Sequence, residues 1–216
     1  MTSPLQLLVL AKEPLPGLVK TRLMPDLSAE QAAQVAFAAL SDTLDAVRAV
    51  PVSRRVLVLQ GSSETLPCNG FDVVRQSQGD LGDRLANAFQ DAWDGCHLPM
   101  LLIGMDTPHV APALLADAAR QLLAGRDGVL GLARDGGWWA LGLHRPVPGC
   151  FDQVPMSTDS TGRDQRARLS QLGVQVSDLP VLTDVDQLAD IALVAAQMAA
   201  DSAFARVARD LALVAA

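Results

Sequence analysis

Leu5-Gln-Leu-Leu-Val-Leu10 followed by Ala11-Lys-Glu-Pro-Leu-Pro-Gly-Leu-Val-Lys-Thr-Arg-Leu23 is the stretch on which the fold turns. The first six residues form an apolar run of the length of a buried strand. The chain then breaks, because Pro14, Pro16 and Gly17 forbid continued regular structure. Lys12, Lys20 and Arg22 crowd this one loop before the next helical pattern begins. Three cations on a strand-to-helix connection need a counter-charge. A di- or triphosphate suits, since backbone N–H groups and cations at the carboxyl end of a strand favour anions. A solvated, merely basic proline-rich loop fits the same residues.

Outward from that loop, strand-like and helix-like segments alternate. Ser28 with Gln31 three residues later reads as a capping box, and Ala32, Val35, Ala36, Ala39, Leu40, Leu44 and Val47 then form one helical face. Arg54–Gln60 and Phe71–Val74 read as strands, and residues 81–93 as a helix. Met100–Gly104 is continuously apolar, as a central parallel strand covered on both faces must be. A helix over Pro112–Leu123 follows, with strands over Gly128–Ala133 and Trp138–Leu143 joined through Asp135-Gly-Gly137. A helix near 160–172, a strand at Val174–Leu179 and an alanine-rich tail of one or two helices from about Gln187 complete the pattern. This alternation implies an α/β fold with a mostly parallel sheet. No repeat or linker divides residues 1–216, so one domain is expected. Leu188, Ile191, Val194 and Met198 suit the core, whereas Phe204, Val207, Leu211 and Val214 suit either the core or a homodimer interface.

Composition narrows the class. Half of the residues are hydrophobic, 19% are charged and the net charge is −7. Disorder is excluded as a general description, and nucleic acid or an anionic membrane is a poor match for the charge. No apolar run approaches the ~20 residues that span a bilayer, and the N-terminus lacks a signal pattern. Cys68, Cys96 and Cys150 are odd in number and widely spaced, which suits free thiols. A soluble cytoplasmic protein is expected.

Candidate chemistry falls where strands end. Asp106 directly follows the Met100–Gly104 strand, at the edge where α/β sheets bind ligands. A carboxylate there suits Mg²⁺, which takes one or two carboxylates with substrate phosphates, although Asp before Thr-Pro also makes turns. Asp184 and Asp186 follow the last strand; either can cap the next helix, or share a hard cation with Asp106. Gly79, Asp80 and Gly82 permit a flat ligand to approach a helix start, or mark ordinary capping. Asp135 and the paired Trp138 and Trp139 suit an acceptor or sugar, or a hairpin with an indole in the core. Met156–Gly162 is a hydroxyl-rich turn that capping by Asp159 or Ser160 would explain. There is no Gly-x-Gly-x-x-Gly fingerprint, no zinc spacing among His97, His109 and His144, and no Gly-x-Ser-x-Gly elbow. Val19 stands where a P-loop needs glycine.

Taken in order, AKEPLPGLVKTRL, GDLGDRL (79–85), LLIGMDTPHV (101–110), LGLARDGGWWALGL (130–143), MSTDST (156–161) and TDVDQLADI (183–191) resemble the nucleotide-diphospho-sugar transferase, or GT-A, superfamily. The likeness covers nearly all of residues 5–191 and is nearest to a small bacterial glycosyltransferase-like family, related to molybdopterin and phospholactate nucleotidyltransferases. It implies a three-layer α/β/α sandwich. It also implies Lys12, Lys20, Arg22 and Gly17 around the donor phosphates, and Gly79, Asp80 and Gly82 near the nucleoside. Asp106 and Asp186 would hold Mg²⁺ or Mn²⁺, Lys20 and Arg22 would act catalytically, and Asp135 would face the acceptor. The implied partners are a nucleotide or nucleotide-sugar donor and a small-molecule acceptor. Glycosyl transfer is the reading the family label favours; the dense cations favour nucleotidyl transfer, and a nucleotide-binding module without catalysis is a third reading. Trp138 and Trp139 replace the tyrosines usual after Asp-Gly-Gly, and Met156 stands where tryptophan is usual. The tail beyond about 195 lies outside the likeness.

Overall fold

A computed structural model describes residues 2–214. Seven strands form one sheet: β1 (Ser3–Lys12), β2 (Val52–Gln60), β3 (Asp72–Arg75), β4 (Met100–Gly104), β5 (Gly128–Ala133), β6 (Trp138–Leu143) and β7 (Val176–Leu182). Their order is β3-β2-β1-β4-β6-β5-β7. Only β6 runs against its neighbours, antiparallel to both β4 and β5, so the sheet is mostly parallel as its apolar runs imply. Four helices join the strands, α1 (Ala29–Arg48), α2 (Leu81–Gly95), α3 (Pro112–Leu123) and α4 (Thr161–Gln171), and two follow β7, α5 (Leu188–Ala195) and α6 (Ala203–Asp210). Ser28 and Gln31 close the capping box at the start of α1.

The period-2 geometry of strands explains why the central runs are apolar throughout. Leu7, Val9, Leu57, Leu59, Leu101 and Ile103 point to one face and pack with Leu40 and Leu44 of α1 and Leu115 and Leu122 of α3. Leu8, Val56, Val58, Met100 and Leu102 point to the other and pack with Leu85 and Phe89 of α2 and Leu169 of α4. This is a three-layer sandwich. The tail forms two short helices, with residues 215–216 outside the described ones. Ile191, Val194, Phe204 and Ala208 pack on Ala32, Val35 and Ala39, so α1 is buried on two sides. Phe204 and Val207 therefore serve an internal layer, and Asp42 of α1 accepts the Ala203 and Phe204 N–H groups at the start of α6 (3.0 and 2.8 Å).

The expected strand at 174–179 lies instead at Val176–Leu182. It continues past Leu179 because Ala133 pairs with Leu182 beyond a register shift. The chain leaves β1 for β2 on one side and pairs with β4 on the other, so the sheet's topological switch lies between β1 and β4. There the loops after β1 and β4 part and open a crevice.

Candidate active site

A cavity of about 770 Å³ opens at this carboxyl edge. Its floor comes from the loops after β1, β4 and β7. Lys20 Nζ lies 2.5 Å from Asp106 Oδ1 and 3.2 Å from Asp186 Oδ1, and it also donates to the Val185 carbonyl. Its side chain is only 5% exposed. Arg22 Nη1 reaches Asp186 Oδ2 at 2.9 Å from a mostly exposed position. The Val185 N–H donates to the Asp106 carbonyl (2.9 Å), which ties the exit of β7 to that of β4. Lys20 is held with φ 49, a left-handed backbone that costs a lysine about 1–2 kcal/mol. The counter-charge that the basic loop demands is thus supplied within the chain for two of its three cations.

Burial alone would lower the Lys20 pKa; the charges of Asp106 and Asp186, with their hydrogen bonds, outweigh it, and the ammonium ends above its ordinary value. Asp184 goes the other way for a carboxyl. Burial first, then the Asp106 and Asp135 charges, push it up to about 8 against the pull of Lys20. Asp184 Oδ1 and Thr107 Oγ1 are buried without a partner among the described residues, and both residues line the cavity. Neither Asp184 nor Asp186 caps α5. Asp190 does so, accepting the Asp186 and Gln187 N–H groups (3.0 and 2.7 Å).

These residues fit a hard cation. Two carboxylates and a carbonyl already surround a positive charge, and an orphaned carboxyl oxygen lies beside them. Among the described residues no three His, Cys, Asp or Glu side chains are spaced to hold a metal alone. Mg²⁺ asks for less, since it keeps waters and takes substrate phosphates for the remainder.

Lys12 is exposed, lines this cavity and also a second one of about 310 Å³ that Gly79 borders. Arg84 of α2 stands between the two. It donates to Gln60 Oε1 and Gln76 Oε1, both at 3.0 Å. Gln76 is buried and fixed by the Ala11 and Val58 carbonyls, 2.7 and 3.1 Å from its Nε2. Sequence reasoning passed over Arg84 and Gln76. Arg84 lies one turn beyond Asp80 on the helix that starts at the ligand edge, and that offset was the available signal. Asp80 itself is occupied by a reciprocal cap with Asp83 (2.9 and 3.2 Å). Gly82 is buried in the first turn of α2. Gly17 is exposed and borders neither cavity.

The far wall is the β5–β6 hairpin. Asp135 is exposed, and its Oδ1 accepts the Gly137 N–H at 2.8 Å. Gly136 (φ +91) abuts the Asp159 carbonyl so closely that any side chain would overlap it. That contact locks the hairpin to the Met156–Thr161 turn. Both indoles border the cavity, but they differ in burial: Trp139 is buried and donates to the Pro180 carbonyl (3.0 Å), while Trp138 is half-buried beside Met156.

The strand order, its one reversed strand and the crevice where β1 and β4 part define a nucleotide-diphospho-sugar transferase fold. A crystal structure from Desulfovibrio desulfuricans G20, provisionally named a nucleotide-diphospho-sugar transferase, shares it at a TM-score of 0.87, with 24% identity over 98% of this chain and 97% of that one. The chain belongs to the family described as "Uncharacterized protein conserved in bacteria (DUF2064)", whose profile matches residues 43–158. Rv0371c of Mycobacterium tuberculosis H37Rv, solved with manganese, is 22% identical over 90% of this chain and 98% of that one, with a TM-score of 0.55. CMP:2-keto-3-deoxy-manno-octonic acid synthetase, solved with CTP, is 10% identical over 91% and 100%, with a TM-score of 0.59. No curated protein sequence matches the chain.

Proposed function

We propose that the chain is a divalent-cation-dependent transferase that draws on an activated nucleotide, with a nucleotide-diphospho-sugar as donor and a small hydroxylated molecule as acceptor. The observation that carries this reading is the convergence of Asp106, Asp186 and Lys20 at the switch point of the sheet. Asp106 and Asp186 would hold Mg²⁺ or Mn²⁺, which when bound offsets the charge that builds on the departing phosphate. Lys12 and Arg84 draw the donor phosphates into the cavity, and Arg22 adds charge at its rim. Trp138 and Met156 stack against the acceptor and keep water from the reacting centre. Asp135 accepts the proton of the attacking hydroxyl; the Gly137 N–H orients its carboxylate and leaves Oδ2 free.

A nucleoside triphosphate as donor is the second reading. It is favoured by Lys12 and Arg75, which border the second cavity and enter no ion pair among the described residues. Thermal unfolding with Mg²⁺ and a panel of nucleoside triphosphates and nucleotide sugars, with and without chelator, tests both. A ligand at 100 times its Kd adds ~2.7 kcal/mol, and each kcal/mol moves the midpoint ~2–4 °C. A chelator-sensitive rise with one nucleotide sugar is expected; a rise with one triphosphate alone selects nucleotidyl transfer. If no member of the panel moved the midpoint, the transferase reading would be wrong.

A further inference from the structure

An ammonium has three hydrogen bonds to give, and Lys20 spends all three inside the chain, on Asp106, Asp186 and the Val185 carbonyl. None is left for a phosphate. The side chain is almost closed to solvent, and a left-handed backbone is maintained to keep it there. Its acceptors, two carboxylates and one carbonyl, are the oxygen types that Mg²⁺ and Mn²⁺ take. Lys12, the last residue of β1, lines the same cavity and engages no carboxylate among the described residues. The exit from β1 thus carries one uncommitted cation and one committed one.

We propose that Lys20 is a built-in counter-cation, which holds the divalent-cation position between Asp106 and Asp186 in the free protein and yields it when the metal arrives. The inference rests on the reading that these two carboxylates bind metal. Two like charges cannot share the oxygens, so the entering cation expels the ammonium. An expelled, formerly buried ammonium needs a new anion, and the donor's phosphates are the anion within reach. Metal and nucleotide should then each tighten the binding of the other by the same factor. Without Lys20, Asp106, Asp184 and Asp186 face one another with no internal cation at their centre. That is a better metal site and a poorer resting state.

The test is Mn²⁺ binding to the nucleotide-free protein, read from the electron paramagnetic resonance signal of free Mn²⁺. Lys20→Gln should bind Mn²⁺ about tenfold or more tightly than the wild type. Lys12→Gln, which removes a nearby charge but no occupant, should change affinity by less than about threefold. Lys20→Met is a second variant should glutamine fold poorly, and Mn²⁺ should raise the melting midpoint of either Lys20 variant more than that of the wild type. Adding Asp106→Asn to Lys20→Gln should erase the gain. Equal or weaker Mn²⁺ binding by both Lys20 variants would overturn the displacement, and so would an equal gain in Lys12→Gln. The metal reading is judged separately, by whether Asp106→Asn abolishes Mn²⁺-dependent stabilisation of the wild type by a nucleotide: if that survives, the metal assignment falls, and this inference with it.

Discussion

The two ends of the cavity follow opposite electrostatic rules. Where β1 and β4 part, carboxylates are met by cations: Lys20 sits between Asp106 and Asp186, and Arg22 closes on the second. At the β5–β6 hairpin, Asp135 and Asp159 enter no ion pair among the described residues, and Trp138 and Met156 supply apolar surface instead. A site that is acidic in sum can still take an anion, because what an incoming ligand meets is the charge left after internal pairing. On the function proposed above, the first end would exchange cations and the second would receive the acceptor hydroxyl.

Asp106→Ala strikes the first end and is expected to lower turnover by about 10²–10³-fold, with the fold retained by circular dichroism. Full turnover in that variant would erase the contrast, since the paired end would then do no chemistry. Phe204→Ala, remote from both ends, should cost about 3–5 kcal/mol of stability in a denaturant titration while nucleotide affinity stays unchanged. A loss of affinity there would mean that the tail shapes the site. Trp138→Ala should raise the acceptor KM by roughly tenfold and leave donor affinity alone. An equal effect on the donor would place the indole at the wrong end.

The smallest effect is in pH. Asp184 has a folded pKa of about 8, above its unfolded value, so its neutral form stabilises the fold. That stability is present in acid and lost as pH rises towards and through 8. With chelator present, the melting midpoint should fall by a few degrees between pH 7 and 8.5, and Asp184→Asn should flatten the slope. A midpoint slope that Asp184→Asn left unchanged would show Asp184 to be ionised at rest.

Most of the architecture was legible because buried parallel strands leave unbroken apolar runs such as Met100–Gly104, and because caps such as Ser28 with Gln31 are local. The end of β7 was not, since its pairing with Ala133 past a register shift is set by a neighbour far away in sequence. At the site, position after a strand pointed to Asp106 and to Asp184 or Asp186, and the family resemblance preferred Asp186 and set Asp135 towards the acceptor. Which cation meets which carboxylate was hidden, as Lys20 and Asp186 are 166 residues apart. Asp80 and Gly82 hold the places in a helix's first turn that made them conspicuous, Asp80 in a reciprocal cap with Asp83.

The double burial of α1 bears on synthesis. The ribosome finishes this helix long before it makes Phe204 and Ala208, which cover the helix's outer face. In that interval Ala32, Val35 and Ala39 lie bare on a nascent chain whose sheet-side packing is otherwise available. The growing polypeptide is then open to chaperones and to sticking to its neighbours, and arrival of the last helix ends that exposure.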